Sequence, residues 1–306
     1  MRESMPLSKS PVFIIGAGRS GTTLLYKLLC LHADVAWVSN YVNQKPGWPW
    51  LSKLNNVSHL CKGLCRRIWF SKTSNAYFVK KNPVNRYFPF PVEGENIYRY
   101  CKIPALKNES WKITIDQKTL LIKSFQQILR FQNGNIVVNK RTANNRRIPH
   151  LLNVFPDAKF VHIIRDGRAV SRSLVNVKWW NTHKVWWMNK MPAEVWEKKG
   201  NAPILLAAQN WIQEVCAIKE GLKSVKPENL LEIRYEDLSL DFDNLMKRIL
   251  GFLQLGKDER WDHEINQIEI MNRNKSIRHS GALQNEPHMD LVTRMQEDLL
   301  KGFRYL

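Results

Sequence analysis

The chain has 306 residues, 44% hydrophobic and 24% charged, which excludes a disordered or collagen-like polymer and allows one large core or two modest ones. Lys+Arg 47 against Asp+Glu 27 gives +20, a field that favours anionic partners such as nucleotides, nucleic acid, acidic membrane or sulfated glycans. Five irregularly spaced cysteines argue against a disulfide framework and for a reducing compartment. Residues 1–10 lack the apolar stretch of a signal peptide, and no apolar run approaches the ~18 residues of a membrane span, so a soluble cytoplasmic protein is expected.

The first informative stretch runs from Pro11 to Leu25. Apolar residues Val12 to Ile15 enter a turn, Gly16-Ala17-Gly18-Arg19-Ser20-Gly21, and Leu24, Leu25, Leu28 and Leu29 then recur at helical spacing over Ser20–Leu31. A strand, a loop of converging N–H groups and a helix N-terminus make an anion site, with Thr22 and Thr23 in the first helical turn. The loop resembles a Walker A loop with one departure. A nucleoside-triphosphate loop places Lys directly after its last glycine; here that position is Thr22, and the cation is Arg19.

Val35–Val38 reads as a second strand. From Ser39 to about Pro104 the periodicity fades, and Trp48, Trp50 and Trp69 are interleaved with cations such as Lys62, Arg66, Arg67, Lys72, Lys80, Lys81 and Arg86. A stretch this long without pattern is an insertion over the core, better explained as a lid or a solvated surface than as a nucleic-acid site. Cys61-x3-Cys65, with His59 nearby, is half a metal site with no second half, so no metal is expected.

Asp116–Phe131 has helical periodicity, and Ile136–Val138 is a strand running into Asn139-Lys140-Arg141. A helix begins near Ile148. Lys159–Ile164 is a buried strand that turns through Arg165-Asp166-Gly167-Arg168 into a helix carrying Ser173. Residues 176–201 form a second insertion, holding Trp179, Trp180, Trp186, Trp187 and Trp196. A long helix over Ile204–Val225, a strand over Leu230–Arg234 ending at Tyr235, and helices over Phe242–Leu253 and Ile265–Met271 follow. Asn272–Pro287 is a polar, basic loop, and a helix from about Met289 to Leu300 closes the chain. Short apolar strands alternating with helices predict the α/β class: a central parallel sheet with helices on both faces, as one domain over residues 1–306.

Ligands of a parallel sheet sit beyond the carboxyl ends of its strands. Four strands bring polar residues there: Arg19 with its loop, Asn139 to Arg141, Arg165 with Arg168, and Tyr235. None brings the acid that a Walker B strand uses for Mg²⁺, and Asp166, one residue beyond Arg165, is expected to be the only carboxylate close by. Side-chain cations, not a metal, are expected to neutralise the anion.

These residues resemble the sulfotransferases that use 3′-phosphoadenosine 5′-phosphosulfate (PAPS). Gly16-x-Gly18-Arg19-Ser20-Gly21-Thr22-Thr23-Leu24 is similar to the family's 5′-phosphosulfate loop. Phe160-x-x-Ile163-x-Arg165-Asp166-Gly167-Arg168-x-x-x-x-Ser173 is similar to its 3′-phosphate strand and helix, and Arg234-Tyr235-Glu236-Asp237-Leu238 to a segment whose tyrosine lies against the nucleotide. The resemblance covers about Pro11 to Leu306, least in the two insertions. It implies the P-loop-like sulfotransferase fold, with PAPS as co-substrate and no metal. It further implies PAPS binding by Gly18, Arg19, Ser20, Gly21, Thr22, Thr23, Arg165, Ser173 and Tyr235, with Arg19 and Lys140 catalytic. The acceptor is then a hydroxyl or amine on a small molecule, lipid or glycan, and Trp48, Trp50, Trp179, Trp180, Trp186 and Trp187 are candidates to wall it.

One position departs. Tyrosine-sulfating relatives carry a glutamate base shortly after the first helix, where this chain has Ser39-Asn40. Neither takes a proton at neutral pH, which leaves His183, Glu93 and Glu95 as candidate bases. The basic segment Asn274-Lys275-Ser276-x-Arg278 is a candidate to close over the nucleotide. The competing readings are a metal-dependent P-loop kinase and a basic nucleotide- or polyanion-binding protein without transferase activity.

Overall fold

The structure, a computed structural model, describes residues 10–70, 87–104, 112–268, 270 and 286–306. Its centre is a sheet of β1 (Val12–Ile15), β2 (Val35–Ala36), β3 (Ile136–Lys140), β4 (Lys159–Ile164) and, beyond a small hairpin of β5 (Lys184–Val185) and β6 (Met191–Pro192), β7 (Leu230–Arg234). The order is β2-β3-β1-β4-β7 and every neighbouring pair is parallel, which is the predicted α/β architecture.

The period of two in β1 shows why both faces must be covered. Val12 and Ile14 enter one apolar cluster and Phe13 and Ile15 another, and all four are buried. On the first face lies α1 (Thr22–Cys30), inserting Leu24, Leu25, Leu28 and Leu29 beside Trp37, Trp69 and the helix Phe242–Leu253. Next in the chain come α2 (Asn40–Gln44) and α3 (Glu95–Tyr100), which pack on the second face through Val42, Ile97 and Tyr98. The second face is closed by α4 (Ile115–Gln132), whose start is fixed by a reciprocal box between Thr114 and Gln117. Phe13 there meets Phe125, Phe155 and Phe160 at ring separations of 6.2, 6.2 and 5.6 Å. A third cluster joins α5 (Gly167–Val175), α6 (Pro203–Leu222) and the final helix α7 (Met289–Gly302) around Val170, Leu174, Trp211 and Leu300.

Three elements differ from the sequence reading. The strand expected over Val35–Val38 stops at Ala36, because side chains take over the ladder. Trp37 N–H donates to Gln132 Oε1 at 3.0 Å, Gln132 Nε2 donates back to Trp37 O at 2.8 Å, and Val38 N–H donates to the Tyr26 hydroxyl at 3.2 Å. The helix expected over Ile265–Met271 is instead Glu259–Ile265. Asp258 caps it by accepting from Trp261 N–H, and the buried Trp261 indole donates to Leu28 O at 2.7 Å; Met271 lies outside the described residues. Described residues of the stretch after Ser39 are helical: α2, a 3-10 helix at Pro49–Asn56, and helices at Val57–Leu60 and Lys62–Trp69.

The ends of that stretch are clasped. Ser39 and Pro91 form an antiparallel bridge, Asn40 N–H donates to Phe90 O at 3.1 Å, and Val92 N–H donates to Val38 O at 2.9 Å. Cys61 is exposed while Cys65 is buried, its thiol pushed up to about 12 by burial. Among the described residues no His/Cys/Asp/Glu group gathers as a metal centre requires, and no helix is long and apolar enough to cross a membrane.

Candidate active site

Past Ile15 the chain turns, and the side chain of Asn145 takes the place of a neighbouring strand. Gly16 N–H donates to Asn145 Oδ1 at 3.1 Å, and Asn145 Nδ2 donates to Gly16 O at 3.0 Å. The loop then uses left-handed backbone at Arg19 (φ 73) and Gly21 (φ 88). At Gly21 a Cβ would stand 2.5 Å from Tyr235 Cδ2, so glycine lets the loop lie against the tyrosine ring. No side chain caps the N-terminus of α1, which leaves the positive end of that helix at the loop. The Ser20 hydroxyl is buried and has no hydrogen-bond partner among the described residues, the condition of a group built to meet a ligand oxygen.

The predicted 3′-phosphate residues converge on this loop from far along the chain. Arg19 Nε donates to Ser173 Oγ at 3.0 Å, and an Arg165 guanidinium N–H donates to Arg19 O at 2.7 Å. The Arg165 guanidinium lies 4.2 Å from the Tyr235 ring centroid. Asp166 is engaged by Arg168 through contacts of 3.0 and 2.7 Å while it caps α5. Arg168 also donates to Tyr305 O, so it serves the end of the chain and not the loop.

Lys140 closes β3 in register with Ile14, and its side chain is 5% exposed. Its ammonium contacts Glu93 Oε1, while Arg141 contacts Glu93 Oε2 and donates to Glu95 Oε2 at 2.9 Å. Burial pushes the Glu93 carboxyl up, but Lys140 and Arg141 more than offset it and hold the group at about 2. Glu95 is tied between Arg141 and Arg147 and does not line the cavity. Asn139, beside Lys140, points to a polar knot with Tyr98 and Asn144.

A cavity of about 530 Å³ joins these parts. Gly18, Arg19, Thr22 and Thr23 form one wall, Lys140 and Glu93 another, and Trp179, Trp180, His183 and Trp186 of the second insertion face them. His183 stacks on Trp180 with ring centroids 5.4 Å apart. Burial lowers its pKa, opposed by Glu214 and assisted by Arg146 and Arg141, so its imidazole is neutral at pH 7. Three expected wall residues lie elsewhere: Trp48 and Trp50 are more than half exposed, and Trp187 donates to Asn210 Oδ1 beside the third cluster.

Two corrections concern carboxylates. Asp166 is not the sole acid nearby, because Glu93 and Glu214 both line the cavity, carried by segments other than the strands. Glu214 of α6 was invisible to a motif reading, yet it accepts from Asn145 Nδ2 at 2.6 Å, from the Trp186 indole at 2.8 Å, and from Arg146. Asn40, at the position of the missing base, is buried and accepts the Phe90 N–H through Oδ1 at 3.1 Å, a structural role. The basic segment Asn274 to Arg278 lies outside the described residues.

A parallel sheet with a glycine loop past β1, Arg165 and Ser173 on the turn and helix after β4, and Lys140 at the end of β3 defines a P-loop-like α/β class. A family model described as "Sulfotransferase family" matches residues 11–259, and the chain belongs to the sulfotransferase family. Its relatives include the omega-hydroxy-beta-dihydromenaquinone-9 sulfotransferases Stf3 of Mycobacterium bovis (strain ATCC BAA-935 / AF2122/97) and of Mycobacterium tuberculosis (strain CDC 1551 / Oshkosh). Each is 24% identical over 267 residues, a match that covers 83% of this chain but 65% of the relative. Among solved structures, sulfotransferase STF9 from Mycobacterium avium aligns with a TM-score of 0.58 at 14% identity, over 97% of this chain and 77% of that one. Sulfotransferase STF1 from Mycobacterium tuberculosis H37Rv aligns with a TM-score of 0.55 at 14% identity, over 94% and 76%. They share the fold.

Proposed function

We propose that this chain transfers the sulfuryl group of PAPS to a hydroxyl or amine of a small-molecule, lipid or glycan acceptor. The observation that carries the reading is the cluster in which Arg19, Ser173, Arg165 and Tyr235 meet a loop whose buried Ser20 hydroxyl lacks a partner among the described residues. In this reading the backbone from Gly18 to Thr23 and the Ser20 hydroxyl hold the 5′-phosphate end. Arg165, steadied by Tyr235, and Ser173 hold the 3′-phosphate. The cavity's own cations supply the neutralising charge, so no metal enters the reading. PAPS supplies a sulfur with a stable leaving group; the chain orients it and answers the charge that grows on the bridging oxygen, through Arg19 and Lys140.

Glu93 is our candidate base. Its pairing with Lys140 and Arg141 keeps it ionised but weakly basic. When Lys140 turns towards the developing charge, Glu93 loses a cation and its basicity rises. His183 is the second reading, favoured by its neutral imidazole among the tryptophans. The indole wall and the menaquinone-type acceptor in the relatives' name support a lipid or other ring-bearing acceptor. Five unpaired cysteines support a cytoplasmic setting.

Thermal shift with adenosine 3′,5′-bisphosphate, 5′-AMP and ATP·Mg²⁺, followed by an acceptor screen with labelled PAPS, tests the proposal. The bisphosphate should stabilise the protein far more than 5′-AMP, which leaves the 3′-phosphate groups unanswered. Equal responses to the two would refute the 3′-phosphate assignment, and a preference for ATP·Mg²⁺ would restore the kinase reading.

A further inference from the structure

The sequence from Val35 to Val92 contains nine Lys/Arg and no Asp or Glu. On it stands an aromatic patch that none of the described elements covers. Trp48 is 55% exposed, Trp50 53% and Leu54 46%; the two indoles stack at a centroid distance of 6.4 Å and an interplanar angle of 21°. Tyr100, 44% exposed, extends the patch, since a Cβ on Gly47 would lie 3.7 Å from its ring. Lys45 Nζ sits 5.8 Å from the Trp48 ring centroid, and Lys53 on the 3-10 helix, Arg99 on α3 and Lys102 just past α3 are exposed.

The patch cannot turn inward. Ser52 and Asn55 occupy the inner side of the 3-10 helix, where Asn55 Nδ2 donates to Trp37 O at 2.9 Å. Tryptophans kept outside at that cost in apolar exposure need a partner.

We propose that this face docks on an anionic lipid bilayer. Indoles and tyrosine settle at headgroup depth, where the ring is half in hydrocarbon and the N–H or hydroxyl is hydrated. Lys45, Lys53, Arg99 and Lys102 meet the negative surface, each worth roughly fivefold in partition when it lies close. A protein-binding core would be depleted in lysine, and a glycan gains nothing from Leu54. The patch is also joined to the site. Glu95 at the start of α3 binds Arg141, the neighbour of Lys140, and Tyr100 at the other end of α3 belongs to the patch, about 8 Å away at 1.5 Å rise per residue. Docking therefore holds the cavity edge next to the bilayer, independently of which reaction the cavity performs.

Co-sedimentation of the full chain with vesicles of phosphatidylcholine alone, or with added phosphatidylglycerol, tests the proposal without any turnover assay. Capture by the anionic vesicles is expected, with a blue shift of tryptophan emission. Trp48→Ser with Trp50→Ser should cut partition by about tenfold or more, and Lys45→Glu with Lys53→Glu should cut it by a similar or larger factor. Both variants should keep the wild-type melting temperature and bisphosphate response, which separates lost docking from lost folding and leaves the sulfotransfer reading to its own test. The proposal is overturned if the wild type ignores anionic vesicles, if the Trp variant sediments with them as well as the wild type, or if heparin alone is bound.

Discussion

Glu214→Gln isolates the device that fixes the glycine loop after β1 through Asn145. Glu214 Oε1 accepts from Arg146 and the Trp186 indole, and Oε2 accepts from Asn145 Nδ2. Every partner is a donor, so a glutamine must aim its NH₂ at one of them. Asn145 cannot turn its amide to help, because that would break both of its bonds to Gly16. The Arg146 and Glu214 side chains are 7% and 4% exposed, so removing the carboxylate charge breaks a buried ion pair, at about 3 kcal/mol where the shape is kept. For a chain of this size that is a fall of roughly 6 °C in melting temperature. The assay is calorimetric unfolding of wild type, Glu214→Gln, Arg146→Met and the double variant. Coupling between the two sites of at least about 1 kcal/mol is expected. A Glu214→Gln protein that melts within about 2 °C of wild type, or two variants whose effects simply add, would refute the reasoning.

The other expectations concern the cavity itself. Arg165→Ala should weaken bisphosphate affinity by about tenfold or more while sparing 5′-AMP, and Lys140→Ala should lower kcat with little change in affinity; isothermal titration and steady-state rates read the two apart. Glu93→Gln should abolish turnover and retain bisphosphate binding, whereas the same outcome for His183→Gln alone would transfer the proton to the imidazole. Because the Glu93 pKa is depressed in the folded state, its stabilisation is complete above the ordinary glutamate value of roughly 4.3 and is lost as pH falls through about 2. Acid unfolding of Glu93→Gln should accordingly be less steep in that window. Gly21→Ala puts a Cβ against Tyr235 at a positive φ, costing about 1–2 kcal/mol for the backbone alone, and should reduce bisphosphate affinity as the ring under Arg165 is displaced.

Local continuity explains what could be read from the sequence. Arg19, Arg165 and Tyr235 lie just past strand ends, and Thr22 and Ser173 lie on the helices that follow, so a strand-turn-helix pattern places them at one edge before any contact is known. The extent of β2 was not readable, because Gln132 and Tyr26 replace its ladder from 95 and 12 residues away. Glu93 could be named only as one of three candidate bases, and Glu214 was not found, for a related reason. Glu93 arrives by the antiparallel pairing of residues 90–92 with 38–40, and Glu214 is one polar position on an otherwise ordinary helix. Asn40 looked like a lost base and is a clasp.

That clasp has an evolutionary consequence. Bonds between residues 38–40 and 90–92 fix both ends of the excursion between them, and Glu93 follows immediately. Lengthening or trimming a loop whose ends are already held changes its closure entropy by only about 0.6 kcal/mol per doubling. The surface the excursion presents can thus be rewritten by insertion, deletion or exchange while Glu93 keeps its place against Lys140. Selection can retune what that surface meets without disturbing the contact of Glu93 with Lys140.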